Sequence, residues 1–147
     1  MNIIVEQDTI KLLRECDAGV KMGISSISDV IDRVESKTFQ DRLNVCMEEH
    51  ENIDNEIQKL LDKYEDDGKA PAPIAKGMSW MKTNMKLAMD ESDNTIADLM
   101  TDGCNMGVKS LNKYLNKYKA AEEKSKDIAK KLINSEEKLA IDIRGYL

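Results

Sequence analysis

The chain has 147 residues, of which 34% are charged, with a net charge of −6, seven glycines, two prolines, one tryptophan and one phenylalanine. That length fits one domain with a sizeable core, and so proline-poor and helix-forming a composition points to an all-α protein. An acidic chain lacks the basic footprint that phosphate binding needs, which speaks against nucleic acid as a partner. No apolar run reaches the roughly 18 to 20 residues of a membrane span, and MNIIVEQDTIKLL has neither the basic start nor the cleavage site of a secretory signal, so a cytoplasmic location without a membrane partner is expected.

Charge is distributed unevenly. Residues 1–108 carry 22 acids and 12 bases, whereas 109–147 carry 6 acids and 10 bases. Complementarity between helices accounts for this, and the row Lys109, Lys113, Lys117 beside Tyr114 and Tyr118 reads as a solvated face. Cys16, Cys46 and Cys104 are odd in number and widely spaced. They offer neither a disulfide framework nor a zinc motif and are expected as free thiols.

In the first segment Ile10, Leu13, Asp17, Val20, Ile24, Ile27, Ile31 and Val34 recur at steps of three and four, which predicts a helix over about 6–35 with one face turned inward. After a break near Ser36 to Thr38, a second seam of Phe39, Leu43, Cys46, His50, Ile53, Ile57, Leu60 and Tyr64 predicts a helix over about 39–65. So short a connection folds the two into an antiparallel hairpin. In that hairpin residue 17 lies level with about residue 57, and residue 50 with about residue 24.

EDDGKAPAP, Glu65 to Pro73, ends the second helix. A shorter helix is expected over about 74–89, carrying a stripe of Met78, Met81, Met85 and Met89 with Trp80 alongside. Such a stripe suits core packing, or an adaptable surface for a partner helix or a small apolar ligand. DESDNT, Asp90 to Thr95, is rich in N-cap residues and marks the start of a helix over about 94–118, and a last helix covers about 121–146. The plan is a single domain over 1–147: two hairpins joined by one long connection that contains a helix.

The segment LLRECDAGVKMG, Leu12 to Gly23, resembles the C-x-D-G-x-x-G segment near the start of an uncharacterised family of small bacterial ferritin-like proteins. Cys16 and Asp17 match, and Ala18 replaces the glycine. Trp80, the helix start at Ile96 to Leu99 and the closing IRGYL fall in similar order, so the likeness covers most of the chain. It implies a ferritin-like four-helix bundle with a long crossover between the second and third bundle helices. The wider superfamily implies a di-metal carboxylate site, with one Glu from each of two helices and a Glu-x-x-His pair from each of the others.

This chain departs from that donor set. It has one histidine, His50, with Met47 three residues before it, and Glu136 is followed three residues later by Leu139. The standard two-histidine site cannot be assembled from it. Asp17 and His50 nevertheless occupy inward seam positions, where a polar side chain needs a partner or a ligand. A residual metal site would draw on His50, Glu136, Asp17 and Asp102, with one iron or other divalent ion as its cofactor. In the alternative, both are buried polar residues satisfied by neighbours or water, and no cofactor is involved. Cys46 and His50 share a helix face at i, i+4, but a seam position implies burial rather than thiol reactivity. Gly19 and Gly23 lie inside the first helix, where small residues permit close approach.

The function expected from these features is that of a non-catalytic helical binding or interaction protein, with the methionine face or a second copy of the chain as its contact. The alternatives are a metal-binding protein built on His50 and a redox-responsive thiol protein built on the three cysteines.

Overall fold

The computed structural model describes residues 2–69 and 92–147. Among these, four long helices pack as a bundle: α1 Ile3–Val30, α2 Lys37–Lys63, α3 Asp93–Lys117 and α4 Glu123–Ile143. Short 3-10 turns, Ile31–Arg33 and Arg144–Tyr146, follow α1 and α4. No described helix is long and apolar enough to cross a membrane. The methionine stripe Met78, Met81, Met85 and Met89, with Trp80 and the helix expected over about 74–89, lies outside the described residues.

Helix starts follow local capping chemistry. The Asn2 side chain accepts from the Ile4 amide, Ser36 from Phe39, and Ser92 from Thr95, each relieving an amide that has no partner within its helix. Asp93 does more than open α3, since its two carboxylate oxygens accept the Glu35 and Ser36 amides at 2.9 Å and fasten the α1–α2 turn to the start of α3. Tyr146 completes this end by stacking on Phe39 with ring centroids 4.7 Å apart and by accepting from Asn94 through its carbonyl.

At the opposite end Asp8 and Thr9 of α1 accept the Ala120 and Glu122 amides at 3.0 and 2.9 Å, which fixes the α3–α4 turn, and the Tyr64 hydroxyl donates to Glu122. α1 and α4 therefore run one way and α2 and α3 the other. Around the bundle the order is α1, α2, α4, α3, so every neighbouring pair is antiparallel. α2 finishes at the end opposite to the start of α3, and the chain between Lys69 and Ser92 joins those two ends.

The inward seam of α2 is buried without interruption from Phe39 through Leu43, Cys46, His50, Ile53 and Ile57 to Leu60. Apolar burial forms two clusters. One at the Phe39 end gathers Ile27, Val30, Leu43, Ile96, Met100 and Ile143, and one at the Tyr64 end gathers Leu12, Leu13, Val20, Ile57, Leu111, Ile128 and Leu132. The buried polar groups His50, Ser135 and Glu136 lie on the residues between them.

α2 closes with a complete Schellman turn. The Asp66 amide donates to the Leu61 carbonyl at 2.9 Å and the Glu65 amide to the Asp62 carbonyl at 3.0 Å. This places Glu65 at φ 53°, a left-handed conformation that usually goes to glycine. The chain then folds back along α1. Arg14 makes a two-point ion pair with Asp66, Lys69 pairs with Glu15 at 2.6 Å, and the Lys69 amide donates to Asp17 at 3.2 Å. Gly68 makes this possible, because at φ +80° it passes so close to Asp17 that a Cβ would overlap the carboxylate.

Replacing exposed Glu65 by glycine removes the left-handed strain while loosening the unfolded chain. We expect Glu65→Gly to raise stability by about 0.5–1 kcal/mol in urea unfolding. A loss would show that the Glu65 side chain contributes something beyond its place in the turn.

Candidate functional site

The single histidine occupies the middle of α2 and is 1% exposed. Its Nδ1 lies 3.0 Å from the Cys46 carbonyl, one turn earlier, and 3.2 Å from Ser135 Oγ, while Nε2 lies 3.2 Å from Glu136 Oε1 on α4. A carbonyl only accepts, so Nδ1 carries a proton. The bond to Glu136 needs one further proton, held by imidazolium or by carboxyl, and the pair as a whole is uncharged in either form. Burial alone disfavours a charged imidazole, but contacts with the Cys46 sulfur, 3.5 Å from Nδ1, and with Glu136 outweigh it and raise His50 to about 10.

The imidazole fits because of a glycine on the neighbouring helix. A Cβ built on Gly23 would stand 2.5 Å from His50 Cδ2 and 2.6 Å from Nε2, so any larger residue there would displace the ring. On the other side of Glu136, a Cβ on Gly107 of α3 would meet its carboxyl group at an ordinary 3.5 Å. Among the described residues no atom lies within 4 Å of the would-be Cβ of Gly103 on α3.

These small residues leave a cavity of about 500 Å³ between α1 and α3. One wall is Ala18, Gly19, Met22, Gly23 and Ser26 of α1, and the other is Met100, Gly103, Met106, Gly107 and Ser110 of α3. Cys46, His50, Cys104 and Glu136 form the floor, and exposed Met106 stands at the mouth. Such a volume, mainly apolar with a few fixed polar groups and set between bundle helices, has the character of a small-molecule site.

The four residues considered as metal ligands separate into two levels and a surface position. His50 and Glu136 are in direct contact. Asp17 is buried but belongs to another cluster, where Lys21 and the Gln58 amide donate to Oδ1 and the Lys69 amide to Oδ2. Asp17 therefore pairs across the hairpin with residue 58 and His50 with residue 23, the offset the seams predict. Asp102 is exposed. Among the described residues no group of three or more His, Cys, Asp or Glu side chains is arranged to hold a metal ion.

All three cysteines are unpaired and buried. Burial pushes the Cys16 thiol up to about 12, and burial together with neighbouring Glu136 also raises Cys104. Both stay protonated at neutral pH and are poor nucleophiles. Lys109, Lys113 and Lys117 are exposed, with the Lys117 ammonium 5.5 Å from the Tyr118 ring centroid.

The cavity itself is the feature that sequence reasoning missed. Gly19 and Gly23 on α1, with Gly103 and Gly107 on α3, repeat the same i, i+4 spacing on two helices. Paired spacings of that kind are the available signal, but the same pattern also serves close helix packing, and nothing local distinguishes a filled groove from an open one. Comparison with protein-family models, with curated proteins and with solved structures finds no match for this chain.

Two measurements check this geometry. Gly103→Ala should stabilise the protein by about 0.5–1 kcal/mol through helix propensity alone, whereas Gly23→Ala should cost about 1–3 kcal/mol because the pinned imidazole has to move. Equal effects in chemical unfolding would mean that His50 is not seated against Gly23.

The raised His50 pKa also sets a pH dependence. Its contribution is fully present below the unfolded-state value of about 6.5 and is lost as pH rises towards about 10. The stability advantage of the native protein over His50→Gln should therefore shrink between pH 7 and 10, by on the order of 1–3 kcal/mol. A pH-independent difference would mean that the folded protein does not hold His50 protonated over this range.

Proposed function

We propose that this protein is a ferritin-like helical binding protein without the di-metal centre, and that it holds a small, mainly apolar molecule in the cavity between α1 and α3. The ferritin-like reading is supported by the topology: two antiparallel hairpins whose joining segment must connect opposite ends of the bundle, as a single long crossover does. One observation carries the binding reading. A cavity of about 500 Å³ is lined by glycines on both walls, and at one of them, Gly103, the described residues leave space that a larger side chain would fill with more apolar burial.

The donor set supports binding over metal chemistry. His50 has committed both ring nitrogens, and three of the roughly four lone-pair positions of Asp17 are taken by hydrogen-bond donors, which leaves little for a metal ion. The cysteines are buried, and burial keeps Cys16 and Cys104 protonated, which favours the same reading over thiol chemistry. A protein partner or a second copy of the chain remains compatible with a ligand-holding bundle and would engage a different surface.

N-phenyl-1-naphthylamine, whose fluorescence rises in apolar surroundings, tests the reading directly. Saturable one-to-one binding is expected, weakened at least tenfold in Gly103→Phe, where the new ring has room to enter the cavity without straining the helix. The variant should keep its helical circular dichroism. Undiminished dye binding in Gly103→Phe would place the dye elsewhere and remove the support for a ligand in this cavity.

A further inference from the structure

The chemistry of the cavity lining narrows what kind of molecule fits, on the reading that the cavity is the binding site. Its ionisable carboxylates are Glu15 and Glu136, and each already has a cationic or proton-sharing partner. Glu15 pairs with Lys69 at 2.6 Å, and Glu136 with His50 at 3.2 Å. No uncompensated charge among the described lining residues awaits an ion. A carboxylate or ammonium head group would leave water for apolar walls with nothing to balance it, which is strongly unfavourable.

Apart from the wall hydroxyls of Ser26 and Ser110, the polar contact that remains, on the floor, is directional. His50 has no free nitrogen, and its ring edge lies against Gly23, so it offers a ligand no hydrogen bond. Glu136 is the accessible member of the pair, with its side chain 11% exposed against 1% for His50. A carboxylate offers about four lone-pair positions. One is used here, by His50, and what is left can only accept a hydrogen bond.

Shape adds a further constraint. The lining of α1 runs from Glu15 to Ile27, and twelve residues of helix rise make a slot about 18 Å long. Glu136 is level with Gly23, which leaves about 12 Å of slot towards Tyr114 and about 6 Å towards Ile27. A molecule anchored at Glu136 extends its longer apolar part towards Tyr114.

We infer that the cavity takes an elongated, uncharged apolar molecule that donates one hydrogen bond, from a hydroxyl or an amide N–H, to Glu136. Its natural competitors, fatty carboxylates and alkylamines of the same length, are excluded by charge and not by size.

A ten-carbon series displacing N-phenyl-1-naphthylamine at pH 7 tests the assignment: 1-decanol, decanamide, decanoate, decylamine and decyl methyl ether, each below its micelle concentration. The alcohol and the amide should bind at least tenfold tighter than either ion and at least fivefold tighter than the ether, which cannot donate. In Glu136→Gln, whose amide can both donate and accept, the gap between alcohol and ether should close. Decanoate or decylamine matching the alcohol, or an ether as tight as the alcohol in the native protein, would overturn the assignment while leaving the cavity as a site. Should the dye fail to bind the native protein at all, the cavity reading falls and takes this assignment with it. The native-protein series decides the matter even if Glu136→Gln folds poorly.

Discussion

The hydrogen bond between His50 and Glu136 joins α2 to α4 at the level where the two apolar clusters meet, and much of the surrounding sequence is arranged to accommodate it. An imidazole in a helical bundle core needs partners for both nitrogens and space for a flat ring. The Cys46 carbonyl and Glu136 supply the first, and the missing side chain of Gly23 supplies the second. The cost of a glycine inside α1 is modest beside that of an unpartnered buried imidazole. Gly23 and Gly107 are both bare beside this pair, and both belong to the walls of the cavity whose floor the pair forms.

Asp17 serves a different purpose, although it looks equivalent in the sequence. Both residues interrupt an apolar seam with a titratable group, and both are buried. His50 finds its carboxylate partner on a helix distant in the chain. Among the described residues Asp17 draws on the first 69: Lys21 on its own helix, Gln58 across the hairpin and the Lys69 amide beyond it. One fixes two hairpins to each other, and the other fixes the outgoing chain to the first hairpin.

Helix identity and the inward seams were legible because burial follows period: every seam position of α2 from Phe39 to Leu60 is buried. The hairpin register was legible too, since a short turn leaves little freedom, and residues 17 and 58 meet as the spacing requires. The contact of His50 with Glu136 was open to suspicion and no more, because inward direction on α4 does not determine which of several acids reaches the histidine. Asp102 shows the limit, standing two residues from buried Cys104 and Met100 yet pointing outward. The cavity was not legible at all, for an empty volume depends on how far apart two helices settle, and that distance is set by contacts elsewhere in the bundle.

The way Asp17 and His50 obtain their partners has a consequence for how the chain is made. Three hydrogen-bond donors to Asp17 have been synthesised by the time Lys69 appears, so the first hairpin and its returning strap can close as an early unit. His50 is in the opposite position. Its carboxylate arrives 86 residues later, and until the last helix is synthesised the nascent hairpin exposes an apolar face with an imidazole at its centre. That imidazole stays hydrated and readily charged, a polar interruption that makes the half-built face a poorer match for other unfinished chains than an unbroken apolar stripe would be.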